Sequence, residues 1–238
     1  MIVMLTSIAA RLACTALVSL APGAFAQTPA APAPATTSQA PNTMMRIVIR
    51  DVSPGLPAEH FGRLPKIIYR AGTCCMRLEE QKNPETGLHL VFITRAPDTW
   101  VLDLDQMLAG HTVDGTGDKA AHMPVLWTEG LGGLEFGTET AFMREKSATR
   151  DGPVACGAQR CDRQTLEHNG YKVVLLTLAG RDQPAQIAIT TAAGEQIAFA
   201  YDAYETGVPM KADLFSLPPG TQLLKSRPAT PPEGNAGL

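Results

Sequence analysis

Apolar and polar residues alternate with a period of two along much of the chain between residues 44 and 225. Arg46-Ile47-Val48-Ile49-Arg50 sets the pattern, which recurs at residues 66–70, 88–94, 100–104, 171–178, 186–190 and 196–201. Such alternation sends successive side chains to opposite faces and predicts strands. Turn residues separate the runs: Asn83-Pro84-Glu85-Thr86-Gly87, Asp114-Gly115, His168-Asn169-Gly170 and Ala193-Gly194. The third is the clearest hairpin, because Asn-Gly supplies the positive φ angles that a tight turn requires. The expected architecture is a large antiparallel sheet.

Several of these strands are apolar on both faces. Ile67 and Tyr69 oppose Ile68, and Val173 and Leu175 oppose Val174 and Leu176. A sheet with one solvated face keeps that face polar, so helices, the curvature of the sheet itself or a ligand must cover the second. Residues 131–147, LGGLEFGTETAFMREKS, fit two periods. Leu134, Ala141 and Phe142 share a helical face, whereas Leu134, Phe136, Thr138, Thr140 and Phe142 follow strand alternation, so a helical plug and a further strand both stand. Residues 54–63 are expected to give another short helix, with Glu59 and Arg63 as an i,i+4 pair.

The first 26 residues place this sheet in a compartment. Arg11 precedes an apolar run from Leu12 to Leu20, Pro22-Gly23 breaks it, and Ala24-Phe25-Ala26 stands before Gln27, as in a signal cleaved after Ala26. The uninterrupted run is too short for a transmembrane helix, which needs about 18 apolar residues or more, so no integral membrane protein is expected after cleavage. Lipidation at Cys14 is disfavoured by Arg11, a charge where an aliphatic residue belongs. Residues 27–43, QTPAAPAPATTSQAPNT, hold no charge and no aromatic ring, and they read as a disordered tether; residues 226–238 read as a disordered tail. A single β-rich domain over residues 44–225 remains. Loss of Arg11 moves the formal net charge from −3 to about −4, and no Lys/Arg run appears, which argues against a nucleic-acid partner.

Cys14 leaves with the signal, so Cys74, Cys75, Cys156 and Cys161 enter an oxidising compartment, where an even number favours disulfides. Cys156 with Cys161 closes a small loop and is the preferred pair. Cys74 and Cys75 point to opposite faces if both lie in a strand, so a bond between them demands unusual geometry; a cross-pair such as Cys75 with Cys161 is the main competitor.

Catalytic chemistry is not advertised. His60, His89, His111, His122 and His168 lack the spacing of a metal motif, and no phosphate loop, dinucleotide fingerprint or G-x-S-x-G elbow occurs, so neither cofactor nor metal is expected. The stretch HTVDGTGDKAAH holds His111, Asp114, Asp118 and His122, and a solvated polar turn is favoured over a metal site, which needs three or four converging ligands. Glu79, Glu80 and Glu85 beside Lys82 read as a solvated strand end. The candidate ligand-cavity residues are Tyr69, Phe92, Trp100, Leu102, Phe136, Phe142 and Phe199, because a sheet apolar on both faces suits an apolar concavity.

The closing Asp213-Leu214-Phe215-Ser216-Leu217-Pro218-Pro219-Gly220 after a signal and a strand-rich domain resembles the Lol-type periplasmic lipoprotein carriers and their uncharacterised relatives. PKIIYRAG at residues 65–72, MRLEE at 76–80 and PDTWVLDL at 97–104 look like early strands of that superfamily, and LEFGTETAFM at 134–143 looks like a subgroup of it. The resemblance implies a mainly β, α+β fold: a curved antiparallel sheet or incomplete β-barrel with one or two helices over its concave face. It also implies a periplasmic or secreted protein that binds an apolar ligand, a lipid or a lipidated protein without chemical change. A second expectation is an envelope interaction or sensor module with a self-filled core, and the weakest is a metal-dependent enzyme using His111, Asp114 and His122.

Overall fold

The Asn169-Gly170 turn takes positive φ angles of 49° and 80° and joins two long antiparallel strands, as its sequence predicts. The computed structural model describes residues 42–114 and 120–224. The Ala26/Gln27 junction, nearly all of the 27–43 segment, Gly115, Asp118 and the 226–238 segment lie outside the described residues.

Twelve strands form one open sheet. The first six make a meander: β1 (Thr43–Asp51), β2 (Lys66–Ala71), β3 (Cys75–Glu79), β4 (Leu90–Arg95), β5 (Asp98–Asp103) and β6 (Leu108–Val113). A second meander holds β7 (Thr149–Cys156), β8 (Gln159–His168), β9 (Tyr171–Leu178), β10 (Pro184–Thr190) and β11 (Gln196–Pro209). Pairing of β1 with β11 joins the two, and the two-residue β12 (Gln222–Leu223) returns to lie parallel to β6, where every other pairing is antiparallel. Between the meanders, residues 120–138 run over one face and lead into α1 (Glu139–Glu145), the one α-helix among the described residues.

Residues 131–147 use both of their periods in turn. Leu134 and Phe136 alternate inward with Glu135 bridged to Pro124, and the helix begins only at Glu139. The helix expected at 54–63 shrinks to a 3-10 turn at Phe61–Arg63. Arg63 does not form the expected pair with Glu59; its guanidinium donates to the carbonyls of Ser53, Leu56 and Pro57, three acceptors that compact this loop.

Met45, Ile47 and Ile49 of β1 share a face with Ile68 of β2, Leu166 of β8, Val173 and Leu175 of β9, and Ile187 and Ile189 of β10. All pack with Leu131, Leu134, Phe136, Phe142 and Met143. From β2 to β8 is five strand spacings, about 24 Å if flat. One segment ending in a two-turn helix packs against β2, β1 and β8–β11 on this face, the concave one of the curved sheet. On the opposite face, Phe215 packs with Met44, Ala71 and Cys75, and Leu217 packs against Val91, Ile93, Leu102 and Ala109. The two-faced apolar strands thus have two covers, a plug inside and a C-terminal strap outside.

Both sequence-adjacent and hairpin cysteines are bonded: Cys74 to Cys75 and Cys156 to Cys161. The preferred Cys156–Cys161 pair staples the β7–β8 hairpin. Strand alternation does not separate Cys74 from Cys75, since residues 72–74 are a turn and β3 starts only at Cys75. A Cys75–Cys161 cross-pair is accordingly not formed. No helix among the described residues is long and apolar enough to cross a membrane.

Candidate functional site

The plug fills only part of the concave face. Beneath β1 and β8–β11 its side chains close the core, but over β3–β5 the inward residues Leu78, Phe92, Thr94 and Thr99 line a cavity of about 520 Å³. Its far wall is the covering segment, through Ala120, His122, Met123 and Trp127, and Ala96 and Pro97 of the β4–β5 turn close one end. Val101, opposite Phe92, stays 39% exposed on this same face. A second cavity of about 490 Å³ lies against Pro124, Leu126, Leu131 and Gly133, and it shares His122 and Trp127 with the first. Trp127 is 82% exposed, a large apolar ring standing between two hollows. Such concave, mainly apolar surface with a few polar groups is the chemistry of a small-molecule or acyl-chain site.

A buried polar chain fixes the wall between cavity and core. Arg70 of β2 donates from Nη1 to the Phe136 carbonyl at 2.9 Å and from Nε to the Gly72 carbonyl at 3.2 Å, and its Nη2 pairs with Glu135 Oε2 at 2.7 Å. Glu135 Oε1 meets His122 Nδ1 at 2.5 Å. Deeper in, Glu139 Oε1 accepts from Gly137 N at 2.8 Å and from the Tyr201 hydroxyl at 2.7 Å, while Oε2 has no hydrogen-bond partner among the described residues. Burial pushes the Glu139 carboxyl above the usual carboxylate range, only partly offset by the Tyr201 hydrogen bond. Burial and then the neighbouring Glu139 push the Tyr201 phenol up well above its ordinary value. Tyr204 donates to the Gly137 carbonyl at 3.3 Å, and its phenol is raised by burial first and by Glu139 second. Gly137 holds φ at +92°, and a Cβ there would press on Arg70 and Ile47, so the bend that presents its N–H to Glu139 calls for glycine.

No protein-family model matches the chain, and no curated protein matches it. Solved structures similar to it include an uncharacterized conserved protein from Thermus thermophilus, 10% identical, with a TM-score of 0.47 over 77% of this chain and 90% of that one. A LolA superfamily protein, NE2245 from Nitrosomonas europaea, is 10% identical with a TM-score of 0.34 over 74% of this chain and 90% of that one. The Pseudomonas aeruginosa MucA/MucB complex contains a chain 13% identical, with a TM-score of 0.39 over 79% of this chain and 68% of that one. Each is a distant likeness of fold alone, with a TM-score below 0.5.

The candidate cavity residues fall into three places. Phe92 lines the cavity. Phe136, Phe142 and Phe199 lie in the plugged core, where Phe136 and Phe199 meet edge to face at 5.4 Å. Tyr69, Trp100 and Leu102 belong to the outer face: Tyr69 packs with the Phe215 cluster, Leu102 is buried beneath the strap, and Trp100 stacks on His111 at 5.3 Å. His111 and His122 are not brought together. His111 sits on the outer face with Asp98 at 2.7 Å, and His122 turns into the concave face toward Glu135. Among the described residues no group of three His, Cys, Asp or Glu side chains converges as metal ligands.

Sequence reasoning missed Leu78, Met123 and Trp127 as lining residues. Leu78 carries the one usable signal: it lies two positions from Met76 in a strand and opposite Phe92. The covering segment around Met123 has no periodicity that would reveal it.

Proposed function

We propose that this chain is an exported, non-catalytic binding protein that holds an apolar ligand, a lipid chain or the acyl chain of a lipidated partner in the cavity over β3–β5. One observation carries the reading: the outer face of β4–β5 is buried under the C-terminal strap, while the inner face keeps Phe92 and Val101 beside a hollow that the described residues do not fill. An apolar surface that the chain can cover on one side and leaves open on the other is surface kept for a ligand. The two disulfides and the signal-like residues 1–26 support an oxidising, periplasmic or secreted setting, with cleavage after Ala26 and a working domain over residues 44–225.

The test is native mass spectrometry of the mature protein purified gently from its own envelope, together with titration of the fluorescent apolar probe N-phenylnaphthylamine. A co-purifying amphiphile, displaced by the probe with one-to-one stoichiometry, is the expected result. Bare polypeptide that also fails to take up the probe overturns the reading.

A second reading, an envelope protein-interaction module, is favoured by β7. That strand lies at the edge of the sheet with its outward residues exposed, a template for pairing with another chain. Capture of a protein partner with no lipid, lost when β7 is interrupted by proline, would favour it over the first.

A further inference from the structure

The turn that carries Cys74 and Cys75 presents three successive carbonyls, and each holds a different part of the cavity's frame. Gly72 O accepts from Arg70 Nε, the residue that grips the plug. Thr73 O accepts from Ala121 N at 2.6 Å, at the start of the covering wall between Ala120 and His122. Cys74 O accepts from Ala96 N at 3.1 Å, in the turn that closes the cavity's end. A bond between adjacent cysteines, whose Cα atoms are 3.7 Å apart, closes a small ring through their shared peptide and holds the backbone dihedrals on both sides of it. The Cys74 carbonyl belongs to that ring, and the Thr73 carbonyl lies on the peptide that leads directly into it, so the anchoring of both is tied to the bond.

We propose that Cys74–Cys75 is a redox modification site whose opening by a dithiol releases both walls of the cavity. This rests on the ligand-binding reading for its purpose, though not for its chemistry. Cys74 is the half-buried member and Cys75 the buried one, so the first thiolate of the dithiol attacks Cys74 Sγ. The S–S bond breaks, Cys75 leaves as a thiolate and takes a proton from water. The second thiol of the reagent, as thiolate, then attacks the mixed disulfide, Cys74 leaves and is protonated, and the reagent departs as its own disulfide. Two electrons pass from the dithiol to the pair. Cys156–Cys161 touches none of the cavity's lining residues through its hairpin pairing, so removing it leaves the reductant acting on Cys74–Cys75 alone.

The experiment uses the full mature chain carrying C156S and C161S, with and without dithiothreitol, followed by hydrogen exchange at the amides of Ala96 and Ala121. Reduction, checked by alkylation and mass, is expected to speed exchange at both by about tenfold or more, while Leu175 and Ile187 in the plugged core stay unchanged. The C74S/C75S variant should show the same fast exchange without any reductant. Unchanged exchange at Ala96 and Ala121 in reduced protein and in that variant overturns the proposal, as does a pair that native dithiothreitol treatment leaves unreduced. N-phenylnaphthylamine titrated in parallel separates the two readings: no binding in either redox state overturns the ligand site, and the exchange comparison decides the redox site by itself.

Discussion

Arg70 and Glu135 face each other across the joint between sheet and plug, Nη2 to Oε2 at 2.7 Å, with side chains only 8% and 10% exposed. Removing Arg70 leaves the Glu135 carboxylate in a poorly solvated place without its guanidinium, with His122 still beside it. Arg70→Met is expected to destabilise the fold by about 3 kcal/mol, since it also leaves the Gly72 and Phe136 carbonyls without their donor. Urea unfolding at constant m-value measures it. The double change Arg70→Met with Glu135→Leu should recover part of the loss, because the buried carboxylate goes with the guanidinium and the His122 it also met is half exposed to solvent, and not all of it, because the carbonyls remain. A double variant no more stable than Arg70→Met alone would show that the ion pair is not what holds the joint.

Glu139 makes stability depend on pH in a direction opposite to that of a salt-bridged carboxylate. Its folded-state pKa is raised by burial, so between the unfolded carboxylate value near 4.5 and the raised folded value the native state binds more protons than the unfolded one. The slope of unfolding free energy with pH is then negative in that window, and stability falls as pH rises through it. Glu139→Gln keeps an acceptor for Gly137 and Tyr201 and removes the ionisation. It is expected to raise the melting temperature at about pH 7 and to leave it nearly unchanged at about pH 4, below both values. Equal effects at both pH values would place the Glu139 charge elsewhere than in the folding equilibrium.

The cavity predicts two variants that separate binding from folding. Trp127 is almost wholly exposed, so Trp127→Ala should change stability by no more than about 0.5 kcal/mol while weakening the uptake of N-phenylnaphthylamine by about threefold to tenfold, the contribution of one aromatic contact. Phe92→Asp sets a charge on the floor of the hollow and should abolish uptake. Retained binding in Phe92→Asp, with circular dichroism like that of the parent, would move the ligand away from β3–β5.

What the sequence made legible follows from which signals survive burial. Residues 46–50, 171–178 and 186–190 alternate because apolar side chains meet a core, and the strands there begin and end within a few residues of the expected bounds. Thr149–Cys156 is an edge strand, exposed at most positions and holding Gly152-Pro153, so no apolar period marks it. The candidate aromatic residues are divided between the two faces for a related reason. Alternation separates two faces but does not say which is concave, and here both carry apolar residues, so Tyr69 and Trp100 look the same in sequence as Phe92. The vicinal disulfide was hidden because the opposite-face argument holds only if both cysteines lie in a strand, and residues 72–74 form a turn.

The C-terminal strap is as much a part of the core as any strand. Phe215 is buried to 2% exposure between β1 and β3, and Arg77 Nη1 donates to the Leu214 carbonyl at 3.1 Å, which ties the strap to the sheet from the polar side as well. Phe215→Ala removes a buried ring and leaves a cavity against Met44 and Ala71, at a cost of about 3–5 kcal/mol. Because Leu217 covers Val91, Ile93 and Leu102 further along the same strap, a loosened strap should expose the back of the very strands that floor the cavity. Phe215→Ala is therefore expected to lower the unfolding midpoint and to speed amide exchange in β4 and β5 more than in β9 and β10. Uniform acceleration across all four strands would mean that the strap stabilises the sheet as a whole and does not specifically back the open half of its concave face.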